Sequence, residues 1–458
     1  MSDWNGKRVL ILGAARQGVA LARWLTQRGA HVTLNDRRPE AELTAAFEAL
    51  SGVPVQWAVG GHPLELLDQA DVLCLSGGVS PALPIVEAAI KRGLPLSNDT
   101  QIFMEAVPCR TVGITGSAGK TTTTTLVGRM AKNALGDKAY TGGNIGDPLI
   151  NHVDAMQPDD LAILEISSFQ LEQMTISPQI ASILNITPNH LDRHGTMEAY
   201  TNAKARILEF QCEKDTAVLG RDDAGAWDLH RKVKGRLHSF GFSKMEEDAE
   251  GTYYADGILY LYDHHVDIPL IRREQVGLRG DHNIMNVLAA FAIGHAAGLP
   301  LDAMLAAVED FQGVPHRLEF VREIRGVRWY NDSIATAPER VLAALRSFEE
   351  PIVLLLGGRD KDLPWEELAA FIHERVDHVV VFGEAANKIV KAITAQGSWK
   401  KPHTLDRVER LQAAIQKAAE VAETGNVVLF SPGGTSFDEF KDFEERGEKF
   451  RTWVHELS

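Results

Sequence analysis

At 458 residues the chain exceeds one ordinary core and, at about 150 residues per domain, reads as three domains. Its 45% hydrophobic and 24% charged residues are those of a folded globular chain, and a net charge of −15 excludes a nucleic-acid backbone as the main partner. Three scattered cysteines with no metal-type spacing fit a reducing compartment. The opening M-S-D-W-N-G-K-R runs straight into V-L-I-L-G, leaving no room for a signal peptide, and no apolar run approaches membrane-spanning length. A cytoplasmic protein with no membrane partner is expected.

Residues 1–98 alternate strand and helix. Strands are predicted at 8–13, 31–35 and 71–76, and helices at 19–28 and from the turn at 77–81 to about residue 92. This is a doubly wound sheet, which binds ligands at the C-terminal ends of its strands. The first turn, G-A-A-R-Q-G (13–18), resembles a dinucleotide fingerprint with Ala15 in place of the middle glycine. That glycine lets a pyrophosphate approach the backbone, so the replacement weakens a nicotinamide-cofactor reading. Asp36 stands where an acid would meet a ribose hydroxyl, or is simply a turn residue at the end of a strand. Arg16 and Arg37 suit a nucleotide phosphate or a uracil edge.

Residues 99–313 form a second unit built around V-G-I-T-G-S-A-G-K-T-T-T-T-T (112–125). Backbone N–H groups of a glycine-rich turn point at phosphate oxygens, and a helix beginning there adds its positive end. Lys120 would reach the outer phosphates, and the Thr121 hydroxyl a magnesium ion. Five consecutive threonines are poor helix formers, and local sequence at odds with its own structure marks functional sites. Five residues separate Gly113 from Gly119, where the usual phosphate loop has four between its glycines, so a plain glycine-rich turn is the alternative. A turn is expected at T-G-G-N-I-G (141–146). Strands follow at 161–166, with Glu165 near its end, and at 181–186, running into T-P-N-H-L-D-R-H-G with His190. A helix then carries Tyr200, Lys204 and Arg206, residues 253–262 read as a hairpin about Asp256-Gly257, and 280–298 as a helix.

Residues 314–458 are a third α/β unit, joined through G-V-P-H-R, with strands near 327–330, 352–356, 378–382 and 427–430. No internal repeats appear.

The stretches G-I-T-G-S-A-G-K-T-T, G-G-N-I-G, E-I-S-S-F-Q-L-E, N-I-T-P-N-H-L-D-R-H-G-T-M-E-A-Y-T-N-A-K-A-R-I, H-N-I-M-N-V-L-A-A, H-R-L-E, N-D-S and S-P-G-G-T-S-F-D-E-F-K-D-F-E-E-R-G resemble the Mur ligases, in order and across nearly the whole chain. The resemblance implies ATP-dependent amide-bond formation in peptidoglycan precursor synthesis by a monomer of three domains. These are a Rossmann-like UDP-substrate domain (1–98), a central P-loop ATPase-like domain (99–313) and a Rossmann-like domain for ATP and the amino acid (314–458). It implies a phosphate-loop site of Gly116, Ser117, Gly119, Lys120, Thr121 and Thr122. Two magnesium ions would sit on Thr121, Glu165, His190 and a carbamylated Lys204, although an ordinary surface lysine is the plain reading of that position. Asn283, Arg317 and Asp332 would hold the nucleotide. UDP-N-acetylmuramoyl-L-alanine would meet Ala15, Arg16, Asp36, Arg37, Ser76 and Asn144, and glutamate would meet Thr336, Lys361, Ser436 and Phe443.

The E-I-S-S-F-Q-L-E stretch and the closing S-F-D-E-F-K-D-F-E-E-R-G point to the members that add D-glutamate. After N-D-S those members commonly continue with lysine, whereas this chain has Ile334. L-glutamate with the same UDP-sugar is therefore one alternative, and a folylpolyglutamate-synthase-like ligase is the other. The first 98 residues argue against the second. A dehydrogenase leaves Lys120 and the threonines unexplained.

Overall fold

Short β-branched and aliphatic runs such as V-L-I-L, L-A-I-L and I-V-L-L-L can be buried on both faces, and each becomes an inner strand of a mostly parallel sheet. The computed structural model describes residues 3–244, 250–309, 311–395 and 401–457. Residues 1–2 and 458, at the ends of the expected first and third domains, lie outside these. Three sheets are present among the described residues.

The first sheet contains Arg8–Leu12 (β1), His31–Asp36 (β2), Val55–Val59 (β3), Val72–Leu75 (β4) and Leu96–Ser97 (β5), all parallel, in the order β3-β2-β1-β4-β5. The order reverses beside β1, so the turn after β1 opens at a topological switch point. The helix after it, Arg16–Gln27, starts three residues earlier than the sequence pattern suggests.

The central sheet contains Arg110–Thr115 (β6), Ala139–Gly143 (β7), Leu161–Glu165 (β8), Ile180–Ile183 (β9), Thr216–Gly220 (β10), Arg236–Gly241 (β11), Glu250–Ala255 (β12), Ile258–Asp263 (β13) and Val266–Arg272 (β14). Its order is β14-β13-β12-β11-β10-β9-β6-β8-β7, parallel from β7 to β12 and antiparallel through the last two pairings. The predicted hairpin is thus β12–β13, extended by a third strand. Two predictions are corrected. The stretch expected as a turn at 141–146 is half strand, because Ala139–Gly143 pairs in parallel with β8 and the turn begins only at Asn144. The strand expected at 181–186 ends at Ile183, where its parallel partner β6 gives way to the glycine turn.

One apolar cluster runs from Val9, Ile11 and Trp24 beside the first sheet to Leu149, Ile150 and Leu164 of the second. These two sheets, with Asp281–Phe311, make one compact unit.

The other unit contains Gly277–Gly280 and the chain from Gln312 on. Its sheet is Glu319–Ile324 (β15), Val327–Asn331 (β16), Ile352–Gly357 (β17), Val376–Phe382 (β18), Thr404–Arg407 (β19) and Val427–Gly433 (β20), in the order β15-β16-β20-β17-β18-β19. Only β15 runs antiparallel to its neighbour. Gly277–Gly280 falls inside the stretch read as the middle domain but packs here, where Arg279 bonds Glu350 at 2.7 Å and lies 5.2 Å from the Tyr330 ring centroid. No helix among the described residues is long and apolar enough to cross a membrane.

Candidate active site

The glycine turn after β6 is held from below by the loop after β9. Asn185 accepts the Ser117 N–H on its carbonyl (2.9 Å) and the Ala118 N–H on its side chain (2.8 Å). Ser117 Oγ bonds the Thr187 carbonyl at 2.9 Å and the Tyr200 hydroxyl at 3.0 Å. The helix Lys120–Leu135 then starts from Gly119, whose φ of +83° is a left-handed conformation that side chains resist. A Cβ on Gly119 would also lie 2.2 Å from Asn286 Oδ1. Asn286 belongs to the helix Asp281–Ala296 and donates to Asn283 at 3.1 Å, so that helix brings Asn286 to the turn with Asn283 bonded behind it. Lys120 folds back, its Nζ 2.8 Å from the Gly116 carbonyl.

At the next strand ends, Glu165 is 2% exposed and divides its carboxylate between two donors. Thr121 Oγ1 donates to Oε2 at 2.8 Å and Asn144 Nδ2 to Oε1 at 2.9 Å. The Asn144 N–H also donates to the Glu165 carbonyl at 2.9 Å, so the β7 turn is fixed to the end of β8.

Lys204 reaches the same turn from the helix Met197–Glu209, which Thr196 caps through the Ala199 N–H. It is 1% exposed, so the surface-lysine reading is excluded. Its Nζ lies 2.9 Å from the Gly116 carbonyl, 3.4 Å from Thr115 Oγ1 and 4.8 Å from the Tyr200 ring centroid. Burial, reinforced by the charge of Lys120 and only partly opposed by Glu165, pushes the Lys204 amine down to about 6. Thr122 is buried in the first turn of the phosphate-loop helix. His190 has a left-handed backbone (φ 53°), is exposed, and meets the Phe169 ring edge-on at 5.2 Å.

In the first sheet, Asp36 is buried, and the Ala14 N–H (2.8 Å) and the backbone and guanidinium of Arg38 (2.9–3.0 Å) all donate to its carboxylate. Burial alone would raise its pKa, but these bonds outweigh it and hold the acid at about 2. Asp36 ties the turn after β1 to the end of β2, and Arg38 is a partner that the sequence did not single out. Ser76 Oγ bonds the Gly13 carbonyl at 3.1 Å on the facing strand end. Ala15 and Arg16 are exposed on an open cleft of about 390 Å³ that Arg23, Arg38, Asp147 and Asn151 also line, while Arg37 is exposed.

In the C-terminal unit, Asp332 is 5% exposed and accepts Ser431 Oγ at 2.7 Å and the Leu318 N–H at 3.2 Å. Burial raises it to about 7 against those bonds and the charges of Arg317 and Arg340. Arg317 is exposed at the start of this unit. Lys361 Nζ lies 3.4 Å from Thr336 Oγ1. Ser436 is buried, and the Phe443 carbonyl accepts Ser333 Oγ at 2.8 Å. Behind them sits fully buried Arg446, which the sequence reading passed over. It donates to Ser333 Oγ (3.1 Å), the Ser333 carbonyl (2.8 Å) and the Gly434 carbonyl (3.0 Å). Ile334 is half-buried, its N–H donating to the His316 carbonyl at 3.1 Å.

Phosphate-type turn, buried carboxylate, buried lysine and nucleotide-type first sheet together describe the site of a nucleotide-using enzyme. Descriptions of three protein families match in turn: the Mur ligase MurD-like N-terminal domain over residues 7–97, the Mur ligase middle domain over 114–294, and the Mur ligase glutamate ligase domain over 316–434. The chain belongs to the Mur ligase family, whose members are ATP-dependent amide-bond-forming ligases. It is 40% identical to the UDP-N-acetylmuramoylalanine–D-glutamate ligase of Caldanaerobacter subterraneus subsp. tengcongensis, over 98% of each chain. It is 39% identical to the enzyme of the same name from Geobacter metallireducens, over 99% of this chain and 98% of that one. The fold is also that of UDP-N-acetylmuramate-alanine ligase from Thermotoga maritima, with TM-score 0.57 and 19% identity over 98% of this chain and 99% of that one.

Proposed function

We propose that this chain joins D-glutamate to UDP-N-acetylmuramoyl-L-alanine at the expense of ATP, working as a cytoplasmic monomer in peptidoglycan precursor synthesis. The relatives' names support the substrates. The observation that carries the chemistry is the Glu165 carboxylate, with Thr121 on one oxygen and Asn144 on the other beside the phosphate-type turn. In this reading residues 1–98 hold the UDP-sugar, 99–313 hold ATP, and 314–458 serve ATP and the amino acid.

The reaction needs no covalent enzyme nucleophile. A carboxylate oxygen of the muramoyl-alanine attacks the γ-phosphorus of ATP, releasing ADP and leaving an acyl phosphate. The glutamate amine then adds to the acyl carbon, phosphate departs, and the amine loses its proton. Lys120, swung from the Gly116 carbonyl, neutralises the transferring phosphoryl group, and the N–H groups at the start of its helix receive phosphate oxygens. Oxygen donors in a buried site suit magnesium, so Thr121 and Glu165 fit one ion, with His190 assigned to the second. When bound, the two ions would supply charge neutralisation and in-line alignment of the phosphoryl group.

Carbamylation of Lys204 fits the same site. An amine held near 6 is largely uncharged at neutral pH. Its lone pair can bond to the carbon of CO₂ with loss of a proton, giving an anionic oxygen ligand. Asn283 is assigned to the base, and Arg317 and Asp332 to the phosphate and ribose. Ala15, Arg16, Asp36, Arg37 and Ser76 are assigned to UDP, with the Asp36 carboxylate also bonded to the Ala14 N–H of that turn. Thr336, Lys361, Ser436 and Phe443 are assigned to glutamate.

The test is phosphate release from ATP and magnesium with UDP-N-acetylmuramoyl-L-alanine, comparing D- with L-glutamate. Release with D-glutamate alone is expected, making Ile334 a tolerated variation. Release with L-glutamate alone keeps the mechanism and moves the specificity, and release with neither overturns the assignment.

A further inference from the structure

Beyond the cluster around Glu165, the other arm of the central sheet gathers a second set of ligand-type side chains. His238 on β11 and Glu250 on β12 are register partners, with His238 Nε2 2.9 Å from Glu250 Oε2. Asp263 ends β13. The turn after it carries His264, whose Nδ1 lies 3.4 Å from Glu250 Oε1 and whose Nε2 lies 3.7 Å from Asp263 Oδ1. From the opposite layer, the last turn of the helix Asp281–Ala296 brings His295 Nε2 to 3.4 Å from Asp263 Oδ1. The His238 and His295 ring centroids are 5.5 Å apart. One ligand atom each from His238, Glu250 and His295 lie within 4.8 Å of one another, as do those of Glu250, Asp263 and His264.

Ion pairing accounts poorly for this arrangement. Three imidazoles crowd two carboxylates, so full protonation would set cations against each other, while neutral rings would gain little Coulombic energy. His238 is 4% exposed, and its Nδ1 has no hydrogen-bond partner, so the buried ring is only half satisfied. Two nitrogens and a carboxylate converging from three different elements suit a borderline cation that accepts nitrogen and oxygen ligands. Magnesium, which prefers oxygen alone, does not fit the set.

We propose that His238, Glu250 and His295 bind one zinc-class divalent transition-metal ion, with Asp263 and His264 orienting the ligands from the rim. Carboxylates beside metal-bound imidazoles commonly fix the ring in this way. Such an ion would join β11 and β12 to the C-terminal turn of the helix that brings Asn286 to Gly119. The two contacts lie nine residues apart on that helix, about 14 Å at 1.5 Å per residue. The role is structural, since no step of the ligation passes through it.

The experiment titrates Zn²⁺ into the metal-stripped full chain, in excess Mg²⁺ and ADP, against a chromophoric chelator. One equivalent bound by the wild type and by Lys204→Ala, with His295→Gln and Glu250→Gln each at least about tenfold weaker, is the expected result. Zn²⁺ should also raise the melting temperature of the wild type and not of those two variants, whose substituted side chains are only part-buried and leave the core intact. Failure of the wild type to bind Zn²⁺ at micromolar concentration overturns the proposal, as does undiminished binding in both variants.

Discussion

Lys120 and Lys204 donate to the same acceptor, their Nζ atoms 2.8 and 2.9 Å from the Gly116 carbonyl oxygen. Lys120 is half-buried at the start of its helix, whereas Lys204 is enclosed. The neighbour's charge adds to burial in depressing the Lys204 amine, so the pair is set up for one cation and one neutral amine.

In bicarbonate-free buffer this has a stability consequence. The unfolded lysine stays protonated up to about 10.5, the folded one only to about 6. Between those values the unfolded state holds the extra proton, so stability rises with pH across the window, and the cost of Lys204 is fully present below pH 6. Lys204→Met should therefore melt higher than wild type at pH 7, with the gap shrinking toward pH 10. Ligase activity should drop by about a hundredfold or more and return in part with short carboxylates added to Lys204→Ala. Full activity in either variant would remove the lysine from the mechanism.

Gly143 ends β7 with φ +95°, and a Cβ there would lie 2.4 Å from the Glu165 carbonyl oxygen. Gly143→Ala should cost about 1–3 kcal/mol in urea unfolding. It should also raise the magnesium concentration needed for half-maximal rate, because Glu165 and Asn144 share that turn. An unchanged magnesium dependence would show that Glu165 tolerates the displacement.

Arg446 is buried among carbonyls and a hydroxyl instead of carboxylates, and its fork ties Ser333 to Gly434. Lysine has one point of charge and cannot repeat that geometry. Arg446→Lys should raise the KM for glutamate about tenfold while leaving the KM for the UDP-sugar near its wild-type value. Equal rises in both would mark general unfolding.

Burial holds Asp332 at about 7, above the 3.8 of an unfolded aspartate. Here the folded state holds the extra proton between those values, so this residue's contribution is greatest below pH 3.8 and is lost as pH rises through 7. Asp332→Asn should equal or exceed wild-type stability at pH 8 and lose that advantage progressively as pH falls from 7 to 3.8, measured by denaturant midpoint.

Much of the site was legible because chemistry was written in consecutive residues. Lys120, Thr121 and Glu165 lie in short motifs at the ends of apolar runs, and the structure brings all three together. What escaped depends on contacts distant in sequence. Asn286 matters because a helix more than 150 residues downstream packs its side chain against Gly119. Arg446 reads as one charge among many in F-E-E-R-G until the fold encloses it. Three of the strands that were not predicted, β3, β15 and β19, are sheet edges with many half-exposed side chains and lack the continuous apolar run that marks β1 or β17, whereas the inner strands β10 and β11 were missed although largely buried. The bonds of Asp36 to the Ala14 N–H and to Arg38 likewise could not be read from its position at the end of a strand.

Gln17, in the first turn of the helix that follows the nucleotide-type loop, donates its side-chain N–H to the Gly143 carbonyl, the residue before Asn144. Arg193 spans the same two layers by donating to the Gly77 and Val79 carbonyls. The loops at the strand ends of the first sheet and those of the central sheet are therefore fastened to each other by side chains from both layers, so a shift in one is passed to the other.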